Sequence, residues 1–425
     1  MIALLGIGVL VGALILGLPV AFALLLSGVA GLLLIGGAPM VLGILETTPA
    51  ASVSSYELIT VPMFILMAEL MIVSGVADEM FEVIGRWVQR LPGGLAIATA
   101  LSGAAFGAVS GSSTAAAATL SASSVPTMIR RGYDPRFASG VVSISGTLAM
   151  LIPPSIALVL YGLLSGENIA ELLVAGIIPG LIVTLVIVAT VLVLVWRDPK
   201  LAPRAETIQP LEARHWSALS FLVLFVAVTG VIYIGIATPT EASALGALGA
   251  LVIAALKRKL TLRTLKGAVF KAARSTAMIA MIIVGAQVFG YFLTLTQVPQ
   301  QIVMLAGALD VPSWVILLII LLIDLVLGCF LDQIAILILT VPVVLPLVIQ
   351  LGYDPIWFGV VVIVMAEIGL VTPPVGINVF VVSRYTGVPV EDVFIGVTPH
   401  VIAHLAAIAL LVLFPALVLW LPSTM

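Results

Sequence analysis

Five small polar or glycine residues in a row, Ser110-Gly-Ser-Ser-Thr114, interrupt an apolar stretch that runs from about 94 to 129. Ser110, Ser112, Ser113 and Thr114 offer neutral hydroxyl oxygens, and Gly111 lets the chain turn. Neutral oxygens suit a hard monovalent cation, and helix N-termini beside such a turn favour an anion. A second apolar stretch, about 314–350, is interrupted by Gly328-Cys-Phe-Leu-Asp-Gln333. An acid such as Asp332 inside an apolar span is costly and therefore a candidate for function. The plainer readings are a small-residue packing face, which Ala115–Ala118 would suit, and an Asp that caps the returning helix. Capping is compatible with a site role.

A paired third feature lies downstream of each. One copy reads Ser145-Gly-Thr-Leu-Ala-Met-Leu-Ile-Pro-Pro-Ser155 and the other Glu367-Ile-Gly-Leu-Val-Thr-Pro-Pro-Val-Gly-Ile-Asn378. Pro153-Pro154 and Pro373-Pro374 each remove two backbone donors in mid-span and clash with the preceding turn. Carbonyls near 146–152 and 366–372, with Gly146, Thr147 and Gly369 among them, are expected to be released. Thr372 and Asn378 add polar groups only to the second copy. Each hairpin tip can meet the break of its own half, giving two quasi-equivalent oxygen-lined sites. Kinks that merely shape the helices are the competing reading.

These features are copies at one offset. Gly132-Tyr-Asp-Pro135 recurs as Gly352-Tyr-Asp-Pro355, and Pro153-Pro154 as Pro373-Pro374, both 220 residues on. The same offset pairs Pro19 with Pro239, Pro92 with Pro312, Pro126 with Pro346 and Pro179 with Pro399. Proline marks helix ends and kinks, so two halves, 1–205 and 206–425, share one pattern of breaks. Each half should hold a hairpin (about 94–129 and 314–350) and a broken helix (137–165 and 356–383). The offset sets Asp332 opposite Ser112 and Gln333 opposite Ser113.

The elements that must carry these sites are membrane helices. Of 425 residues, 62% are hydrophobic and 9% charged, and the mean hydropathy is +1.33. Soluble domains carry about 25% charged residues, so a soluble enzyme, a disordered chain and a nucleic-acid binder are excluded. At ~20 residues per crossing, the chain reads as an all-α polytopic membrane protein with about ten crossings and two re-entrant hairpins. Apolar stretches that are continuous and do not alternate favour helices over a barrel. Five full crossings per half invert the second half relative to the first. The positive-inside rule agrees. All 17 Lys and Arg residues fall at 77–93, 130–136, 197–215, 257–274 and 384–391, the segments this topology puts in the cytoplasm. Loops 37–57, 166–171, 296–313 and 350–355 should lie outside, with both termini periplasmic. Residues 1–36 could form two crossings or one long tilted helix. Amphipathic stretches 77–92 and 257–274 could lie at the interface as arms, and 197–215 reads as a solvated linker.

Other polar residues are less telling. Cys329, the only cysteine, excludes an internal disulfide and a cysteine-built metal site. Glu241 follows Ala237-Thr-Pro-Thr240 and suits a helix N-terminus. Glu69 could face a partner helix or a cavity. Asp324 reads as a packing or hydrogen-bond residue. His400 and His404 sit one turn apart without an evident third metal ligand. Catalytic triad, phosphate loop and ATP motif are not found. The N-terminus lacks a basic n-region and reads as a first membrane helix.

Inverted repeats with interrupted helices are the signature of secondary transporters. GAVSGSSTAAAATLSASSVPTMIRRGYDP, SGTLAMLIPPSIALVLYG, ATPTEASALGA and VTPPVGINVFVVS together resemble the large membrane subunit of tripartite ATP-independent periplasmic (TRAP) transporters, over essentially the whole chain. The resemblance implies sodium-driven import of an organic acid, such as a C4-dicarboxylate, sialic acid or another sugar acid, across the bacterial inner membrane. It implies a periplasmic substrate-binding protein and a small membrane subunit of about four helices, expected as a separate chain, with Na⁺ as coupling ion and no other cofactor. It places sodium and substrate at Ser110–Thr114 with 146–154, and at 328–333 with 366–378. Sodium would sit at Ser112, Ser113 and Gly146, and at Gly328, Asp332, Gly369 and Thr372. Hairpins and broken helices would slide as an elevator-type core against a scaffold. A stand-alone sodium- or proton-coupled carboxylate carrier is the alternative within transport, and a polytopic membrane enzyme or assembly subunit the alternative outside it. No intramembrane Arg stands ready to clamp a carboxylate, so selectivity could reside largely in the binding protein.

Overall fold

Proline and glycine cut the apolar chain into helices at the places the repeat marks. The computed structural model describes residues 2–203, 215–308 and 311–425. The boundary between the halves and most of the 197–215 linker lie outside the described residues. Every regular element among the described residues is helical.

Helix α1 (Ile2–Ile15) and α2 (Val20–Val53) are separate, so 1–36 is not one long helix. Helix α2 is kinked at Gly37, where φ is 68°. Next come α3 (Thr60–Ser74) and α4 (Val76–Val88). The first hairpin is α5 (Gly94–Ser110) and α6 (Ser113–Arg130), and the broken helix is α7 (Pro135–Thr147) and α8 (Ile156–Ser165). Helices α9 (Ile169–Ala175) and α10 (Ile177–Arg197) follow. The later elements are α11 (His215–Tyr233), α12 (Pro239–Leu256), α13 (Leu262–Leu295) and α14 (Val298–Ala308). The second hairpin is α15 (Ser313–Gly328) and α16 (Gln333–Gln350), followed by α17 (Pro355–Gly369) and α18 (Ile377–Thr386). Helices α19 (Val390–Leu413) and α20 (Ala416–Leu419) end the chain.

The 220 offset carries over to whole elements. Helix α6 maps onto α16 residue for residue, and α7 and α8 begin within one residue of α17 and α18. Contacts are reciprocal in the same sense. Helix α6 packs on α18 and α16 on α8, while α2 packs on α13 and α12 on α3. Such exchange is what a two-fold relation between two copies produces.

Two loop expectations are corrected. Segment 37–57 is helical as far as Val53, and 296–313 contains α14. Proline within these stretches does not end a helix here: Pro39 and Pro49 are accommodated within α2. The repeat does not relate the two amphipathic stretches to each other. At the common offset the kinked-off part of α2, 38–53, corresponds to the start of α13, and α4 corresponds to α14. Stretches 77–92 and 257–274 are therefore not equivalents, and the second continues into one helix, α13.

Helices α2, α3, α12 and α13 form one packed group, with α1 and α11 on its flanks. The hairpins, broken helices, α10 and α19 form another. Seven helical stretches among the described residues are long and apolar enough to cross a membrane, with further apolar helices of 10–17 residues. Leu181, Leu185 and Trp196 on α10 and Leu222, Val223 and Val226 on α11 turn apolar side chains outward, as lipid requires and water forbids. The protein is a multi-pass membrane protein.

Backbones cross closely inside the second group. A Cβ on Gly140 of α7 would lie 2.2 Å from the carbonyl carbon of Gly396 on α19. Gly140→Val should therefore lower the thermal unfolding temperature of the purified protein, since overpacking costs about 1–3 kcal/mol. Gly43→Val and Gly230→Val, where a Cβ meets nothing within 4 Å, test the claim: an equal loss there would refute it.

Candidate functional site

Each tip is a helix end, a tight turn and a new helix start. Gly111 ends α5 at φ 55°, and its N–H donates to the Gly107 carbonyl at 3.2 Å. That left-handed angle is open to glycine at little cost and strained for other residues. Ser112 then caps α6, its Oγ accepting from the Ala115 N–H at 3.4 Å and lying 3.2 Å from Thr114 Oγ1. Ser110 Oγ donates to the Ser112 carbonyl at 3.4 Å. Ser110 and Ser113 are buried, while Ser112 and Thr114 are partly exposed. The hydroxyls therefore converge on one turn with lone pairs to spare.

The second tip uses an acid for the same job. Asp332 caps α16, its Oδ1 accepting from the Ala335 N–H at 2.9 Å, and it is exposed. Capping and a site role are compatible, because a carboxylate has several acceptor positions. Gln333 is fully buried and donates from Nε2 to the Ile363 carbonyl at 3.1 Å, leaving Oε1 without a partner.

Each tip is pressed against the break of its own half. A Cβ on Gly111 would meet Ile156, just past Pro153-Pro154, at 2.9 Å. Gly107 abuts the backbone of Leu148 and Ala149, and Gly146 abuts that of Ala117. In the second half Gly328 and Gly369 are so close that a Cβ on Gly369 would lie 2.4 Å from the Gly328 Cα. The Gly376 N–H donates to the Cys329 carbonyl at 3.2 Å, tying the break to the tip. Glycine is required at 328 and 369 by this approach of two backbones.

The breaks do not leave a bare row of carbonyls. Leu148 O accepts from the N–H groups of Leu151 and Ile152, and Met150 O accepts from Ser155 Oγ. Ile368 O accepts from Val371 N–H and, at 2.7 Å, from Thr372 Oγ1. Leu370 O accepts from the Asn378 N–H at 3.0 Å. Short 3₁₀-type turns reclaim Leu148 O and Ile368 O, the Ser155 hydroxyl takes Met150 O and the Asn378 N–H takes Leu370 O, which a reading of proline alone could not foresee. Thr147 Oγ1 likewise donates to Ile144 O at 2.8 Å. Both Pro-Pro bonds are cis.

The two breaks differ in access. Pro153 and Pro154 are buried, with Leu151 and Ile152 close to Gly176 and Gly180 beside them. Pro373 and Pro374 are exposed and Thr372 is partly so. Asn378, fully buried, has neither side-chain oxygen nor nitrogen partnered.

Several polar residues find positions the sequence left open. Glu69 on α3 faces Lys271 of α13, with 3.3 Å between carboxylate and ammonium. Glu241 forms a capping box with Thr238. Asp324 is buried inside the second hairpin with both oxygens unpartnered. Glu367, one turn before the second break, lies 3.8 Å from His404 of α19, both fully buried, with His400 buried one turn away. Only the lone acid before the break and the His400–His404 spacing hinted at this cluster. No group of three or more His, Cys, Asp or Glu able to hold a metal ion occurs among the described residues. A cavity of about 540 Å³ lies between the end of α2, the α8–α9 turn and the start of α12, away from both tips.

The comparisons give the same reading by another route. The family model of the tripartite ATP-independent periplasmic transporter, DctM component, matches residues 7–417. The chain belongs to that family. It is 35% identical over 371 residues to the C4-dicarboxylate TRAP transporter large permease protein of Pseudomonas aeruginosa, covering 87% of this chain and 86% of that one. It is 31% identical over 414 residues to the sialic acid TRAP transporter large permease protein of Vibrio cholerae, covering 97% and 96%. The crystal structure of the Alcanivorax borkumensis YdaH transporter, at 16% identity, shares the fold with a TM-score of 0.65 over 89% of this chain and 88% of that one. This TRAP large permease thus has a transporter fold in which two hairpins meet two helix breaks.

Asn378 offers a clean test of site against scaffold. A buried amide with no partner carries its full desolvation penalty, about 1–3 kcal/mol. Asn378→Leu should leave thermal stability equal or higher while abolishing transport in reconstituted vesicles. Normal transport by this variant would remove Asn378 from the site.

Proposed function

We propose that this TRAP large permease carries an organic acid into the cell with sodium, receiving it from a periplasmic binding protein and working beside a small membrane subunit. One observation carries the reading: in each half a hairpin tip of neutral oxygens or an acid packs backbone-to-backbone on a helix break. The first site comprises Ser110–Thr114 with Gly146, Thr147, Pro153 and Pro154. The second comprises Gly328, Asp332 and Gln333 with Gly369, Thr372, Pro373, Pro374 and Asn378. Sodium binds through Ser112, Ser113 and Gly146 and through Gly328, Asp332, Gly369 and Thr372. The organic acid lies between, oriented by polar groups that only the second half provides. Relatives named for a C4-dicarboxylate and for sialic acid support the acid class.

The membrane is the bacterial inner membrane. The two halves run in opposite directions, each with five crossings and a re-entrant hairpin, and both termini are periplasmic. The body of hairpins and broken helices slides as an elevator past the scaffold of α2, α3, α12 and α13. An exposed second break beside an enclosed first one supports access from one side at a time. Each net positive charge carried inward gains about 2.3 kcal/mol per 100 mV. More sodium charge than substrate charge must therefore enter for the potential to assist.

Ser112→Ala and Asp332→Ala should each lose sodium-dependent uptake by at least tenfold while the complex still assembles. Capping loss alone costs about 1 kcal/mol of stability; unchanged sodium dependence in both variants would sink the tip assignment. A cysteine at position 134, in a chain with Cys329 replaced, should label only from the cytoplasm, and one at 354 only from outside. Labelling from one side at both would overturn the inversion. Vesicles holding this chain alone should not accumulate acid under a sodium gradient. Uptake without binding protein and small subunit would establish a stand-alone carrier.

A further inference from the structure

Seven of the 17 basic residues lie between 257 and 274, and that stretch contains no acid. Two of them are internal struts. Lys257 pairs with Glu79 of α4, and Lys271 with Glu69 of α3 at 3.3 Å. These two pairs join the α12–α13 connection and the start of α13 to α4 and α3. Arg258, Lys259, Arg263, Lys266 and Arg274 are exposed, and none has a carboxylate within 4.0 Å among the described residues.

The same helix turn exposes apolar surface that its own fold does not cover. Leu262 and Phe270 are each 70% exposed and Val269 48%. With 3.6 residues per turn, Leu262, Lys266, Val269, Phe270 and Ala273 share one face, and Arg263 and Arg274 flank it. Buried Ala268 and Ala272 mark the opposite, packed side. A Cβ on Gly267 would meet nothing within 4 Å, so the surface dips there. The dip opens a shallow groove lined by Leu265, Lys266, Val269, Phe270 and Ala273. Helix α13 has 34 residues, about 51 Å at 1.5 Å per residue. That exceeds a hydrocarbon core of about 30 Å, and with no Lys or Arg from 275 to 295 the basic first turns are the end suited to the headgroup layer. The corresponding stretch of the other half, 38–53, has no Lys or Arg and carries Glu46. Apolar strip and unpaired cations occur together in one copy only.

We infer that residues 261–274 form a binding surface for an anionic phospholipid. Acyl chains lie along Leu262, Val269, Phe270 and Ala273, and the headgroup phosphate is held by Arg263, Lys266 and Arg274. Long basic stems cover apolar surface while their charges reach the phosphate. Basic residues at an anionic leaflet each add roughly fivefold to affinity. Lys257 and Lys271 are committed to the fold, so the selectivity rests on the outward residues. This surface would hold the scaffold against the bilayer while the other body moves.

The test uses the full chain with Cys329→Ala and Ala273→Cys, labelled with a fluorophore and reconstituted in phosphatidylcholine vesicles. Quenching by brominated phosphatidylglycerol should reach its midpoint at about tenfold lower mole fraction than quenching by brominated phosphatidylcholine. Arg263→Gln, Lys266→Gln and Arg274→Gln together should abolish the difference, and Lys266→Gln alone should reduce it. Arg130→Gln with Arg131→Gln, basic residues elsewhere, should leave it intact. Equal midpoints in the unsubstituted chain, or equal loss in the Arg130/Arg131 variant, would overturn the assignment. So would loss of the preference on adding millimolar glycerol phosphate, which would make a free phosphate the ligand.

Discussion

A helix that ends inside an apolar bundle must satisfy the backbone groups it frees, because hydrocarbon offers them nothing. That constraint organises the second packed group. At each tip the chain reverses within two to four residues, and the new helix start is capped by a side chain, Ser112 or Asp332. At the first break Ser155 both caps α8, accepting from the Leu158 N–H, and donates to Met150 O. At the second, no side chain caps α18; the Gly376 N–H instead reaches the Cys329 carbonyl of the neighbouring tip. In the second half, tip and break thus satisfy each other. Moving one without the other would strand polar groups, so the two must travel as a unit.

Having one architecture twice allows the chemistry to be unequal. The first half spends its tip on hydroxyls and its break on buried proline. Acids and amides gather in the second. Asp324, Gln333, Glu367 and Asn378 all carry side-chain atoms without partners, together with His400 and His404. Among the described residues the first half has no acid or amide in this condition; its orphans are two nitrogens of Arg86 and the hydroxyls of Ser102 and Ser124, and a hydroxyl costs less to bury than a carboxyl. Such a one-sided polar load is expensive for stability, and stability alone gives no reason to keep it in one copy.

Hairpins and breaks were legible in the sequence because their signals are local. Proline pairs, glycines and a polar centre in an apolar span each have one main structural meaning, and the offset supplied a second reading of each. Arms were less legible. The stretch 38–53 has one charge, Glu46, and two prolines, so neither amphipathic pattern nor helix propensity distinguishes it from a loop. Its identity comes from its counterpart in α13. Side-chain partners were not legible. Glu69 and Lys271, or Glu367 and His404, are separated by stretches whose packing decides the pairing, and neither pair follows from spacing along one helix. The reclaimed carbonyls at the breaks belong to the same class, since donors such as the Ser155 hydroxyl and the Asn378 N–H are brought within reach only by the folded break.

Close backbone packing links these points to movement. Gly328 against Gly369, Gly107 against Ala149 and Gly140 against Gly396 bring chains together with no side chain between them. Such contacts have no flexible atoms that could yield, so they resist sliding within the body. The scaffold has such contacts too, Gly28 against the backbone of Val288 and Phe289 and Gly285 against the Ala21 carbonyl, and adds longer ones. Lys271 to Glu69 and Lys257 to Glu79 are long side chains reaching between helices, and the cavity of about 540 Å³ lies where the two groups of helices face each other. Each group of helices is thus closely packed within itself, and the cavity lies at the boundary between them. An ion bound between tip and break would be carried with its ligands intact, which is the mechanical condition for coupling its gradient to the movement of a second solute.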